Sequence, residues 1–251
     1  MRILYLGDIH GNFRLINEYV KLYGITNAHI IQVGDYGVGF APLAKEKRML
    51  EDYHHLLVKN NVFVWAIRGN HDFKPYFDND PFGFTNIKLV KDYTVLNLEG
   101  KNILCIGGAV SVDRNWRMTK AQKNGEFIAG LVPTGETWWN DEYFVLDEQK
   151  LGELRDINII VTHTAPDYCI PDNTFGFGSF VEGIVKDTGD SDLKTELLIE
   201  RRQLTDAFQI VKMNNDITHH YYGHFHRSDL LEMYGTRHRV LGIGELFEER
   251  N

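Results

Sequence analysis

The chain has little cysteine. Its two residues, Cys105 and Cys169, offer neither the paired spacing of a zinc site nor the framework of a disulfide-stapled secreted domain. A reduced, cytoplasmic setting is the expectation, with Cys169 read as an inert thiol. No apolar run approaches the ~20 residues of a membrane-spanning helix, so no membrane partner is expected. There is no internal repeat, no low-complexity tract and no Pro- or Ser-rich linker. Basic charge is also short: 27 Lys and Arg against 35 Asp and Glu leave −8. That deficit argues against broad binding of nucleic acid, which rests on a basic surface. It leaves room for a nucleotide or a local phosphate pocket. The opening "MRILYLGDIHG" has one Arg and a short apolar run that soon reaches Asp8, which reads as a first strand and not a signal peptide.

What is present reads as one globular domain over 1–251, with 43% hydrophobic and 25% charged residues among 251. The first half alternates. Short apolar strands are expected at Arg2–Leu6, His29–Val33 and Val62–Ala66, with helices at Gly11–Tyr23 and Pro42–Lys59 between them. Strand–helix alternation indicates βαβ units and a parallel sheet. Within the second helix, the charge run Ala44–Arg48 reads as a solvated face. After Asn86 the pattern turns to short strands, "IKLV", "YTVLNL" and "NILCIGG". An irregular, aromatic-rich insertion spans about 111–147 and holds Trp116, Trp138 and Trp139, a candidate substrate-facing flap. A strand at Asn158–His163, a Gly-containing loop, a helix at Leu193–Met213, a strand in "ITHHYYGHFH" and a closing hairpin complete the chain. The expected architecture is α+β or α/β, a four-layer αββα sandwich of two mixed sheets.

The polar residues fall where strands end. "GDIHG" supplies Asp8 and His10, "GDYG" supplies Asp35, and "RGNHD" supplies Asn70, His71 and Asp72. "NIIVTH" ends in His163, and "GHFH" carries His224 and His226. In α/β sheets functional groups gather at the carboxyl ends of strands. Side chains two apart on an extended strand share a face, which would aim Asp8 with His10, and His224 with His226, at one point each. Carboxylate, imidazole and amide oxygen together suit divalent Mn, Fe, Zn, Co or Ni, and Mn is favoured.

This ordered set, "GDIHG … GDYG … GNHD … TH … GHFH", resembles the calcineurin-like metallophosphoesterases over Gly7 to His226. The resemblance implies an αββα sandwich with two metal ions. It places Asp8, His10, Asp35 and His226 on one metal, and Asp35, Asn70, His163 and His224 on the other, with Asp35 as the bridge. It makes His71 the acid near the leaving group and Asp72 the residue that orients it. His219 and His220 are not read as ligands, and His29, His54, His55 and His238 read as ordinary surface or core histidines.

The second motif departs from the "GDxxDRG" of the superfamily's Ser/Thr protein phosphatases, reading "GDYGVGF". Their second Asp and phosphate-binding Arg are therefore missing. Arg68, before the third motif, stands where those phosphatases also keep an Arg and is expected near the phosphate. The stretch "GGAVSVDRNWR" with the later "WWNDE" resembles a bacterial and phage branch, and Arg114 within it is a candidate phosphate contact or the partner of a surface carboxylate. The leading expectation is hydrolysis of a small phosphodiester or phosphomonoester, nucleotide-type favoured, by direct attack of a metal-bridging hydroxide. The alternatives are a protein phosphatase, a nuclease, and a non-catalytic scaffold like the retromer subunit of the superfamily. The sequence leaves the oligomeric state open.

Overall fold

The computed structural model describes residues 1–123, 138–171 and 177–249. The elements are β1 (Arg2–Leu6), α1 (Arg14–Leu22), β2 (Ala28–Gln32), α2 (Leu43–Lys59), β3 (Val62–Ala66), α3 (Lys74–Asp78), β4 (Ile87–Leu89), β5 (Thr94–Leu98) and β6 (Lys101–Ile106). They continue with α4 (Arg114–Lys123), α5 (Glu148–Glu153), β7 (Ile159–Thr162), α6 (Phe177–Thr188), α7 (Leu193–Lys212), β8 (His219–Tyr222), β9 (Asp229–Met233), β10 (Thr236–Val240) and β11 (Leu246–Glu248). One sheet has the order β11-β1-β2-β3-β4 and the other β5-β6-β7-β8-β10-β9. Both mix parallel and antiparallel pairs.

Period-two alternation explains why there are four layers. In β1, Leu4 and Leu6 pack with Ile16, Val20 and Leu50 of α1 and α2, while Tyr5 belongs to the core between the sheets. Tyr5 stacks on Tyr221 of β8, with ring centroids 3.5 Å apart. In the second sheet Leu104, Ile106 and Ile160 turn outward onto Leu204 and Phe208 of α7. Burying both faces of both sheets requires nearly continuous apolar strands, as "HIIQV" and "NIIVT" are.

Five elements differ from the sequence reading, two of them the short helices α3 and α5, which it did not include. The stretch taken as irregular from 111 begins with the regular helix α4, and its residues 124–137 lie outside the described residues. The Gly-containing loop after His163 includes the helix α6. The closing hairpin is followed by β11, which pairs antiparallel with β1 in the opposite sheet, Tyr5 beside Phe247. No helix among the described residues is long and apolar enough to cross a membrane.

Candidate metal centre

β1, β2 and β3 run parallel with Leu6 beside Gln32 and Gln32 beside Ala66, so their carboxyl ends are level. β7 and β8 are also parallel, Val161 beside Tyr221. The loops leaving these five ends carry Asp8 and His10, Asp35, Asn70 and His71, His163, and His224 and His226. The centre therefore lies along the seam of the two sheets.

Two clusters form there and share one carboxylate. In the first, ligand atoms of Asp8, His10, Asp35 and His226 all lie within 4.8 Å of one another. His226 Nε2 is 3.1 Å from His10 Nε2 and 3.3 Å from Asp8 Oδ2. In the second, Asn70 Oδ1 is 3.0 Å from both His163 Nε2 and His224 Nδ1. Asp35 stands between them, with Oδ2 3.7 Å from His10 Nδ1 and Oδ1 3.2 Å from His163 Nε2.

The donors are oriented from behind. Val33 O accepts from His163 Nδ1 at 2.9 Å, which leaves Nε2 pointing inward. Asn70 Nδ2 donates to Ser111 Oγ at 2.8 Å, and Ser111 Oγ donates to Glu142 Oε2 at 2.8 Å. That relay turns the amide so that its oxygen faces the imidazoles. Asp8, Asp35, Asn70 and His163 are buried, while His10 and His226 are exposed. Burial raises the Asp35 carboxyl, but the imidazoles of His163, His71 and His10 overcome it and hold the group well below its ordinary value. Burial likewise lowers the His163 imidazole, and Asp35 overcomes that and lifts it to about 9. Oxygen and imidazole donors convergent on two points, with buried carboxylates among them, fit two divalent cations.

This charge pattern has a consequence for metal uptake. Without a cation, a proton on His163 sits between its acceptors and must leave when metal enters. Because its pKa is raised from 6.5 to about 9, the proton competes throughout the neutral range. Affinity at this cluster should climb about tenfold per pH unit toward pH 9 and level off above it, and acid should release the metal. Calorimetric titration with manganese over a pH series checks this. A flat profile would mean that His163 gives up no proton to the metal.

The backbone reaches these positions at a cost. His10, Asp35, His224 and His226 have φ of 45°, 55°, 66° and 50°. Such left-handed residues cost about 1–3 kcal/mol each and are held by their surroundings. This corrects the shared-face argument for the paired residues. The chain is not extended at His10, His224 or His226, and His224 and His226 serve different clusters. Close approach sets the glycines: a Cβ on Gly69 would lie 2.1 Å from Asp35 Oδ1, and one on Gly34 2.1 Å from His163 Nδ1.

The residues expected around the reacting group divide. His71 is at the centre: its backbone N–H donates to Asp35 Oδ1 at 2.8 Å, and its ring stands edge-on to His10 at 5.3 Å. Burial pushes its imidazole below the ordinary value, Asp35 and Asp113 oppose this, and Arg117 and His10 add to it. Asp72, expected to orient that imidazole, instead accepts from the backbone N–H groups of Tyr36, Gly37, Val38 and Gly69. It ties the loop after β2 to the turn after β3. Arg68, expected near the phosphate, is 1% exposed; it pairs with Asp92 and donates to the carbonyls of Asp141, Glu142 and Tyr143. Arg114 is likewise buried on Asp190 and Glu196. Both are structural pairs: the five donors of Arg68 are all taken by Asp92 and the three carbonyls, and each nitrogen of the Arg114 guanidinium is engaged by Asp190 or Glu196. The arginine that does reach the centre is Arg117, one turn beyond Arg114 on α4. Its Nη1 is 3.5 Å from His71 Nδ1, and it pairs with Glu142 and Asp113. The sequence contained it within "DRNWR" without showing which of the two arginines turns inward.

A cleft of about 410 Å³ opens beside His10 and His71, walled by Phe13, Phe40, Lys45 and Met49. Phe40 lies nearly parallel to the His71 ring with centroids 6.3 Å apart, and packs edge-on against Trp139 at 4.9 Å. Trp139 is fully buried and also meets Phe73, so it braces this wall from behind, whereas Trp116 is exposed. Glu46, read as part of a solvated face, is 3% exposed and accepts from the N–H groups of Gly39, Phe40 and Ala41. Hydrogen bonds to a charged group contribute roughly 1.5–3 kcal/mol each. Glu46→Ala should therefore release the Phe40 loop and destabilise the fold by several kcal/mol, checked by chemical denaturation, with Glu46→Gln milder.

The family described as calcineurin-like phosphoesterase has a profile that matches residues 1–228. None of the curated proteins matches the chain. Among solved structures, a putative 5'-nucleotidase from Staphylococcus aureus superposes with a TM-score of 0.50 at 13% identity, over 97% of this chain and 49% of that one. This chain thus spans about half of that protein's length. A phosphopantetheinyl hydrolase from Mycobacterium tuberculosis gives 0.45 at 13% identity, over 96% and 90%. GAP50, the anchor in the inner membrane complex of Plasmodium, gives 0.42 at 16%, over 96% and 71%. At 13% identity the likeness to the nucleotidase is one of fold alone.

Proposed function

The chain belongs to the calcineurin-like phosphoesterase family, which makes it a metal-dependent hydrolase of phosphate esters, and from that premise we propose that it cleaves small, nucleotide-type phosphodiesters or phosphomonoesters. The family is built on a binuclear divalent centre. The observation that carries the assignment here is Asp35, whose two carboxylate oxygens face different clusters. On this reading Asp8, His10, Asp35 and His226 hold one cation and Asp35, Asn70, His163 and His224 the other, with manganese suited to the sulfur-free donor set. When bound, the pair of cations supplies an acidified water as nucleophile and positive charge against the phosphate oxygens.

The chain's own residues do the remainder. His71, at the mouth of the cleft, donates a proton to the departing oxygen. Its lowered pKa favours the neutral ring in the free protein, and the negative charge of an entering phosphate favours the protonated form that an acid needs. Arg117, 3.5 Å away, limits where that ring can turn. Phe40 and Met49 offer apolar contact to a base or other flat group, and Lys45, without an ion-pair partner among the described residues, meets a further negative group. A cleft of about 410 Å³ suits a small molecule better than a folded phosphoprotein. The protein-phosphatase alternative rested on Arg68, which is not available to substrate.

The test is a screen of the manganese-loaded protein against cyclic nucleotides, dinucleotides, mononucleotides, phosphopeptides and single-stranded nucleic acid. Turnover concentrated on the small nucleotide esters is the expected result. Phosphopeptides outperforming them would overturn the substrate class. No turnover of any ester, with two metals bound, would overturn the catalytic reading.

A further inference from the structure

A second group of ligand-type side chains lies on the outer face of the second sheet and takes no part in the centre described above. His220 of β8 and His238 of β10 are directly paired across a parallel ladder. Tyr221 of β8 points into the core between the sheets, so its neighbour His220 points the other way, onto Phe208 of α7 at 4.6 Å. Cys169, from the loop after β7, closes on the pair. All three are buried: Cys169 and His220 at 0% exposure and His238 at 1%. Their ligand atoms lie within 4.8 Å of one another. His238 Nδ1 is 3.0 Å from His220 Nδ1 and 3.3 Å from Cys169 Sγ.

Proton accounting shows what these atoms present. The Thr162 hydroxyl gives its one proton to the carbonyl of Thr164. It must therefore accept from His220 Nε2, 2.7 Å away. His220 Nδ1 is left as a bare lone pair, aimed at His238 Nδ1. The surroundings are aromatic: Tyr222 stacks on His220 at 4.8 Å, and Tyr168 meets His238 edge-on at 5.4 Å. Burial lowers both imidazoles, His220 well below its ordinary value and His238 to about 4. A charged imidazolium pair is thus excluded, and two neutral imidazoles with a thiol remain. In a tetrahedral zinc site, nitrogen ligands stand about 3.3 Å apart and a nitrogen and a sulfur about 3.6 Å. The observed 3.0 and 3.3 Å are close to those edges.

We propose that Cys169, His220 and His238 form a third metal site, distinct from the phosphoesterase centre, that takes one zinc(II) ion. One thiolate and two imidazoles select a thiophilic cation, unlike the sulfur-free, mixed oxygen and nitrogen donors of the other two sites. Binding breaks the S–H bond of Cys169 and releases that proton to solvent; both imidazoles stay neutral, and His238 carries its proton on Nε2. The ion fastens the loop from His163 to Pro171 onto β8 and β10. Arg201 already grips the same loop through the carbonyls of Ala165, Pro166, Cys169 and Pro171. Because this loop starts at His163 and β8 leads into His224, the third site works as a brace under the phosphoesterase centre.

Cobalt(II) in place of zinc tests this, because thiolate-to-cobalt charge transfer absorbs in the near ultraviolet and the phosphoesterase centre has no sulfur donor. The full chain is produced in cobalt-supplemented minimal medium, so that metal is present as it folds, and is examined by absorption and elemental analysis. The expected result is a near-ultraviolet charge-transfer band in the parent. Cys169→Ser and His238→Gln should each lose that band together with one cobalt per chain. Asp35→Asn should keep the band while losing cobalt from the other centre. No band in the parent would overturn the proposal without recourse to any variant. A band that persists in Cys169→Ser would assign the sulfur to Cys105 and overturn it equally.

Discussion

Replacing Asp35 with Asn should strip metal from both clusters and abolish turnover. The two carboxylate oxygens of Asp35 face different clusters, Oδ2 toward His10 and Oδ1 toward His163. It also receives the backbone N–H of His71, so the amide disturbs the turn that carries the acid. Asparagine has one acceptor oxygen and no charge, and its NH₂ would be turned toward at least one cation. Loss of an outer partner of a metal ligand typically costs 10–100-fold in affinity, and loss of a shared ligand should exceed that at both sites. Asp8→Asn is the comparison: Asp8 offers its ligand atoms to the first cluster, beside His226, and reaches the second only by accepting the backbone N–H of His224, so the first metal should weaken more than the second. Metal content and manganese affinity of the two purified variants give the answer. An Asp35→Asn protein that binds two metals as tightly as the parent would show that Asp35 is not the bridge.

The second large effect is expected at His71 and should depend on the substrate. Its side chain is not among the convergent ligand atoms, so His71→Ala should retain both metals. A nitrophenolate leaves readily without a proton, and on an aryl ester the loss should be modest. An alkoxide such as a ribose oxygen needs the proton, and there the loss should approach the ~10²–10⁴-fold typical of general acid catalysis. Esters of graded leaving-group pKa, assayed under conditions where chemistry limits the rate, separate the cases. An equal loss across the series would assign His71 to phosphate binding or to site structure. Asp72→Asn, proposed from sequence as a weaker form of the same defect, should behave differently. Its carboxylate holds four backbone N–H groups, three of them in the loop after β2 that carries the left-handed Asp35 and Gly37. Lower thermal stability and weaker metal binding on every substrate are therefore expected, with no dependence on the leaving group.

Much of the centre was legible because it is written locally. An apolar strand followed by Gly-Asp, Gly-Asn-His or Gly-His is a short-range pattern, and four of them, with the Thr-His at the end of β7, name the residues that lie at the seam. The same locality gave β1 and β3 with their observed ends, since a strand buried on both faces must be apolar throughout. The helix α4 was harder to see, because "DRNWRMTKAQK" has few apolar residues to mark a periodic face. β11 was hidden by its length of three residues and by a partner at the opposite end of the chain.

The sequence by itself determined the kinds of candidate ligand, their order along the chain and the family to which they point, since these depend on residue types at strand ends. Tertiary structure decided the roles that depend on partners far away. Arg68 and Arg114 look like phosphate arginines until Asp92 and Asp190, 24 and 76 positions distant, claim them. Arg117 comes to His71 only because α4 packs with that face inward. Glu46 leaves solvent because three N–H groups of the preceding loop have no other acceptor among the described residues. Cys169, His220 and His238, each unremarkable alone, meet because β8 and β10 are neighbours in the sheet while being separated by β9 in the chain. A buried charged or polar group must find a partner wherever the fold supplies one, and no local spacing encodes which partner that is.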